Sequence, residues 1–396
     1  MNRKMLKRIK LLSFICIVIL IIESIYVLYS LFFKSTETLY FDSINSIDNN
    51  SLYYVTVGSN NNNDNHYEKA KVSMYDKKHE KVFEKLYNFG YNSAFFGVEI
   101  DGEDIITVGS YEKNKIDHKD SLRRSLIVKY DSTGEMIFEK EFRVLDNSKF
   151  TSVNVVDDGY IVTGQSVYKN TKIGNKDGGA ILVKYDKNGK LLWSKTFGSN
   201  KTSIFNDLLV KDNYIYTVGV LDNNIGVICK YDLDGNLINT GEYKYTDSIG
   251  FNSIVSIDNS IYVSGSDSDN ALLVEYDLDC NYINKVLYET EGNSNYNKMV
   301  VDKDNNIVVI GTIANKKESS SKTANDFNYD GIIGKYKSSL EKISIVEYGD
   351  ERDDYFTDIK YVDNNYLVAG YSSYEDGSYM SKFIRYSDAL KVLEVD

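Results

Sequence analysis

Three histidines and three cysteines are the whole stock of imidazole and thiol in this 396-residue chain. His66, His79 and His118 lie too far apart to build a metal cluster or to serve a nucleophile as its base. His79 stands four residues after Tyr75. Gly134, Gly189, Gly235 and Cys280 hold the same place after equivalent tyrosines, so His79 and Cys280 are expected to be turn residues. Cys229 and Cys280 are the only thiols beyond Cys16, too few for a disulfide scaffold. Carboxylates are plentiful. A glycosidase would need two of them about 5–10 Å apart, one with a raised pKa. Asp76, Asp131, Asp186, Asp232 and Asp277 each follow a repeated tyrosine, where an aspartate bonds its own turn backbone. Asp232-Leu233-Asp234-Gly235 and Asp267-Ser268-Asp269-Asn270 begin like calcium loops but lack the remaining ligands and the closing glutamate. No catalytic, cofactor or metal residue is therefore assigned. The chemistry that remains is recognition. The segment GNKDGG offers Asn175 and Asp177, and the longest polar segment ends in Asn325, Asp326, Phe327, Asn328, Tyr329 and Asp330. Such mixtures of aromatic and polar groups suit non-covalent binding.

These segments hang on a repeat. Tyr75, Tyr130, Tyr185, Tyr231, Tyr276, Tyr336 and Tyr386 each close an apolar run. Twelve residues on stand Tyr87, Phe142, Phe197, Tyr243, Tyr288 and Tyr348, and twenty residues on stand Phe95, Phe150, Phe205, Phe251, Tyr296 and Phe356. A glycine follows at a constant distance: Gly109, Gly164, Gly219, Gly265, Gly311 (one residue late) and Gly370, with Gly58 in phase before them. Each unit holds four short runs of Val, Ile and Tyr bounded by Asp, Asn and Gly, the pattern of strands and tight turns. The expected fold is all-β, a seven-bladed propeller of four-stranded blades. From each glycine to the next tyrosine the intervals are 17, 21, 21, 12, 11, 25 and 16. The length changes thus fall between the second and third strands, on one face, and variable loops on a rigid scaffold are where binding usually resides.

The third unit, DGGAILVKYDKNGKLLWSKTFGS followed by NDLLVKDNYIYTVG, resembles the propeller repeats of bacterial cell-surface proteins grouped with quinoprotein-like propellers. The resemblance covers residues 39–396 and is sharp in units two to four. It implies a fold and a surface location, not redox chemistry. Quinone-binding members carry a tryptophan docking motif in each blade and, in some, a vicinal cysteine pair; here Trp193 stands alone and no cysteines adjoin. No cofactor is expected.

Ahead of the repeats, residues 1–10 form a basic segment, 11–33 an apolar run, and 34–38 a short linker to the domain at 39–396. Twenty-three residues suffice to span a bilayer, and the basic flank keeps the N-terminus inside. After Glu23 the stretch SIYVLYSLFF offers no small-x-small cleavage site, which favours one uncleaved transmembrane helix over a signal peptide. Residues 1–34 carry a net +5, which leaves −17 for the rest of a chain whose total is −12. That balance excludes nucleic acid as a partner. The sequence reads as a single-pass cell-membrane protein with its C-terminal domain outside, binding an envelope protein or glycan through the variable loops. The alternative is an envelope polysaccharide hydrolase or lyase with a carboxylate pair near the propeller channel; a channel floored by serines and asparagines would favour the binder. The linker reaches at most about 17 Å, so the variable face should lie toward or beside the membrane. Cysteines placed in those loops should react on intact cells with small labels and resist very large ones; full access of the large labels would turn the face outward.

Overall fold

Among the described residues, alternating β-branched and aromatic residues between Asp, Asn and Gly turns form 28 strands, grouped into seven antiparallel sheets of four consecutive strands. The computed structural model describes residues 41–61, 67–113, 122–142, 147–167, 178–198, 203–222, 224–245, 248–316, 327–349, 352–374 and 377–395. The expected membrane helix at 11–33 lies outside the described residues, among which no helix is long and apolar enough to cross a membrane. The first strands of the blades, Asp42–Asn49, Tyr91–Asp101, Asn147–Val156, Ile204–Lys211, Ile249–Ile257, Ser294–Val301 and Asp354–Val362, touch one another in sequence, and the seventh returns to the first. They are the inner wall of a seven-bladed propeller.

Every inner strand carries a β-bulge at the same place, beside the repeated glycine. The bulge drives a carbonyl into the neighbouring strand. A Cβ on Gly58, Gly164 or Gly311 would lie 2.0, 2.0 and 1.8 Å from the carbonyl oxygens of Ser43, Lys149 and Asn295. Only glycine fits there, which explains its recurrence. The bulged residue is Asn or Thr in six blades, and its side chain donates to a carbonyl of the next blade. The bonds run Asn45 Nδ2 to Phe95 O (2.7 Å), Thr151 Oγ1 to Phe205 O (2.7 Å) and Asn206 Nδ2 to Phe251 O (2.7 Å). They continue with Asn252 Nδ2 to Tyr296 O (3.0 Å), Asn297 Nδ2 to Phe356 O (2.9 Å) and Thr357 Oγ1 to Ile44 O (2.6 Å). Phe96 replaces the donor in blade two.

Between blades sit the repeated aromatics. Phe95, Phe150, Phe205, Phe251, Tyr296 and Phe356 each meet the tyrosine of their own blade edge-on, at 6.2–6.4 Å between centroids and 73–82° between planes. All are shielded from solvent, as the repeat spacing predicts. Among the described residues the ring closes without exchanging a strand: blade one is built from the first four strands and blade seven from the last four. That seam buries five hydrophobic residues, Ile44, Ile47, Tyr54, Leu367 and Ala369, against ten to thirteen in the other six inter-blade clusters. Polar links make up the difference. Asp358 Oδ2 accepts from Ser46 Oγ (2.8 Å) and Ile47 N (2.9 Å), Lys360 pairs with Asp48 at 3.1 Å, and Phe41 bridges Tyr379.

The hairpins joining third to outer strands also repeat. Their fourth residue after the tyrosine has positive φ in all seven blades: His79, Gly134, Gly189, Gly235, Cys280, Leu340 and Leu390. As expected from the register, His79 and Cys280 are turn residues. The choice of side chain follows the outer strand of the preceding blade. Where that strand presents Phe83, Phe138 or Trp193, the turn has glycine, and a Cβ there would come within 2.8–2.9 Å of the ring. Where it presents Asn239, Asn284 or Ser344, the turn carries buried Cys280, Leu340 or Leu390. Trp193 is thus an inter-blade packing residue. Gly189→Ala should cost about 1–3 kcal/mol in urea unfolding, from positive φ and the clash with Phe138. Adding Phe138→Asn should restore part of the loss, and strictly additive losses would show the two positions to be independent.

Candidate functional site

The channel is lined where the inner strands expose their unpaired edge. A strand edge presents N–H groups with no ladder partner, and these must find acceptors. Here the acceptors are side chains of the preceding blade. Asp48 Oδ2 accepts from Ile100 N (2.9 Å), Glu99 Oε2 from Val155 N (2.5 Å) and Asn154 Oδ1 from Val210 N (3.2 Å). Asp207, two residues beyond its aromatic, accepts from Ser152 Oγ (2.8 Å), Ser253 Oγ (2.9 Å) and Ile254 N (3.3 Å). Lys298 reaches Asp207 at 2.8 Å, past the intervening blade. The cavity these strands line holds about 360 Å³.

The channel therefore mixes serine and asparagine with a carboxylate set. Asp207 and Asp358 are committed to backbone and serine donors. Glu99 differs: burial, then the Asp48 charge, pushes its carboxyl up to about 7, against the pull of Val155 N, Lys360 and Asn154. Burial opposes the Lys360 ammonium, but Asp48, Asp358 and Glu99 outweigh it and hold its pKa above the ordinary value.

A second cavity, of about 450 Å³, opens on the face from which the variable connections leave. Phe41, Phe96, Tyr371 and Tyr379 form its aromatic walls, and Asp42, Glu68, Glu112, Asn45, Asn92 and Arg123 its polar ones. Asp42 is neutralised by buried Lys71, and Glu112 by Arg123 at 3.2 Å. Glu68 also lines an adjoining cavity of about 310 Å³ beside the Tyr67–Tyr91 ring pair. From the groove a row of rings runs across the seam. Phe41 stacks on Tyr379 (5.5 Å), which meets Tyr371 edge-on (5.4 Å). Tyr371 stacks on Tyr355 (5.1 Å), and Tyr355 on Tyr329 (5.8 Å). Tyr329, at the end, is 37% exposed. Burial raises the phenols of Tyr355 and Tyr371, so they remain neutral donors.

Of the residues singled out from sequence, Asn175, Asp177, Asn325 and Asp326 lie outside the described residues. Phe327 opens a strand opposite Lys316, and Tyr329 terminates the ring row. Asp330 accepts from Asn315 Nδ2 at 2.7 Å and Asn328 Nδ2 at 3.3 Å, tying the same strand pair together. Asp76, Asp131, Asp186, Asp232 and Asp277 each accept two turn N–H groups, and Asp267 takes the Tyr243 hydroxyl at 2.8 Å. Sequence reading missed Tyr371, Tyr379 and Phe96. The available signal was departure from the repeat: Tyr371 follows its glycine where blades one, two and five have Ser59, Ser110 and Ser266.

No family model and no curated protein matches the chain. Solved structures do. A prolyl endopeptidase aligns with TM-score 0.54 and 11% identity over 91% of this chain and 51% of its own. Sqt1 from Chaetomium thermophilum aligns with TM-score 0.49 and 10% identity over 87% and 98%. The propeller domain of the Trilobed protease from Pyrococcus furiosus aligns with TM-score 0.49 and 12% identity over 89% and 94%. At 11% identity the likeness to the prolyl endopeptidase, whose TM-score exceeds 0.5, is one of fold alone. Over the described residues the chain is an all-β, seven-bladed propeller.

The raised Glu99 carboxyl gives a pH prediction with a definite sign. A carboxyl raised from 4.5 to about 7 favours the folded state while protonated. That contribution is complete below pH 4.5 and is lost as pH rises through 7. Glu99→Gln should flatten the fall in thermal stability between pH 5 and 8, a difference of up to about 3 kcal/mol. Parallel wild-type and variant curves would remove Glu99 from the titration.

Proposed function

We propose that this protein is a single-pass, cell-surface propeller of the quinoprotein-like repeat type, used without a quinone, whose loop-bearing face holds an envelope glycan. The observation that carries the reading is the ring row leading into the 450 Å³ groove. A sugar ring has an apolar C–H face and a rim of hydroxyls. Aromatic faces accept the first, while carboxylate, amide and phenol groups in fixed positions bond the second. The hydroxyls of Tyr355, Tyr371 and Tyr379 have no protein partner among the described residues, and Glu68 has none for its carboxylate, so these donors and acceptors are open to a ligand. An N-terminal anchor with a short linker would hold this face beside the membrane.

A second reading rests on Glu99. A carboxyl that titrates near neutrality beside Asp48 is the feature expected of a general acid in a polysaccharide hydrolase. The two readings separate in one assay. Full-length protein in detergent should be retained on immobilised envelope polysaccharide, and Tyr329→Ala with Glu68→Gln should weaken retention about tenfold. Glu99→Gln should leave it unchanged, with no new chain ends released. Release of ends that depends on Glu99 would establish the enzyme. A discrete protein adduct from a photoreactive residue at position 325, with no glycan retained, would establish a protein partner instead.

A further inference from the structure

Several lysines drawn in from solvent in this molecule have a carboxylate waiting. Lys129, Lys184, Lys230, Lys335 and Lys382 pair with aspartates at 2.6–2.9 Å. That is the ordinary condition for burying a charge. Lys149 breaks the pattern. Its nitrogen lies 3.8 Å over the Phe96 ring, and among the described residues it has neither an ion-pair partner nor a hydrogen-bond acceptor. Burial, then the nearby Arg123 charge, pushes its ammonium down to about 8. A ring face compensates a desolvated ammonium only in part.

The place is as telling as the missing partner. Lys149 lies on the inner strand of blade three, two residues before Thr151, which lines the channel cavity. Phe96 lines both the channel cavity and the groove on the loop-bearing face. It is also the bulge residue that breaks the ring of Asn and Thr donors. Arg123 lines the same groove, nearly half exposed, with its guanidinium engaged to Glu112 on one side. Arg123 thus faces one end of an aromatic groove in a domain otherwise rich in acid, and Lys149 stands over a ring that lines that groove, with no counter-charge among the described residues.

We infer that Lys149 and Arg123 form an anion-binding position at the inner end of the groove, and that it takes the carboxylate or phosphate of an acidic sugar. This rests on the glycan reading for the polymer, but the anion position stands on its own geometry. The ligand's anion supplies the kind of partner that Lys129, Lys184, Lys230, Lys335 and Lys382 already have, and a guanidinium beside it adds directed donors suited to a carboxylate or phosphate. The sugar ring would continue outward along Phe41 and Tyr379.

The test uses full-length protein in detergent and reads the rate of Lys149 reductive methylation by peptide mass spectrometry. Inorganic phosphate and glucuronate should each slow that rate several-fold, while a neutral sugar leaves it unchanged. Retention on an acidic oligosaccharide should fall about tenfold in Lys149→Met, which keeps the apolar stem over Phe96, and persist in Lys149→Arg. Retention on a neutral oligosaccharide should be indifferent to both. Absence of protection by any anion overturns the anion position. Protection by phosphate and glucuronate with no oligosaccharide retained upholds it and removes the glycan reading. Equal loss of acidic and neutral retention in Lys149→Met would reduce Lys149 to packing and overturn the assignment.

Discussion

The inner-strand bulge is the constraint from which the rest of this molecule follows. Seven strands stand edge-on around a channel, and an edge strand is costly to leave unpaired. The bulge turns one Asn or Thr of each strand outward to its neighbour's carbonyl, six times in seven. It also pushes a carbonyl so close to the second strand that only glycine fits opposite. The aromatic beside the bulge is then fixed against the tyrosine of its own blade. One local irregularity, repeated, sits beside the glycine, the inter-blade hydrogen bond and the ring pair together. The channel carboxylates belong to the same economy: most are acceptors for strand edges before they are anything else.

The seam is where the repeat has to be supplemented. Every other interface joins blades linked by the chain, and each buries a larger apolar cluster. Blades one and seven meet with half the buried hydrophobics and no exchanged strand, so hydrogen bonds and ion pairs carry more of the closure. The ring row crosses this seam, and Phe41 and Tyr379 belong both to it and to the bridge. A ligand seated there touches both ends of the fold and favours the closed ring over the open one by mass action.

How much of this was legible depended on whether the information was periodic. Blade number, strand count, inter-blade aromatics, turn positions and turn aspartates all recur at fixed spacing, and one sequence containing seven copies serves as its own alignment. The site is not periodic. Its groove brings Phe41, Glu68, Phe96 and Arg123 of blades one and two against Tyr371 and Tyr379 of blade seven, hundreds of positions away and joined to them only when the ring closes. Tyr371 and Phe96 could have been found as exceptions at positions where other blades carry small or amide residues. Lys149 could not, because the position before the repeated aromatic varies freely, and its meaning lies in having no carboxylate partner among the described residues. Asn175, Asp177, Asn325 and Asp326 remain readings of sequence alone.

The pairing of large outer-strand rings with glycine turns, and of small polar residues with Cys280, Leu340 and Leu390, bears on how such a chain assembles. Seven near-copies invite mistaken neighbours: blade four docking where blade six belongs, or two chains trading halves. Each interface instead carries its own bump and hollow. Trp193 fits against Gly235 and would collide with a turn bearing Leu340, while Asn284 against a glycine would leave a void. The sizes act as an address written on each blade, so that the blades can be alike in backbone and still take only one seat in the circle.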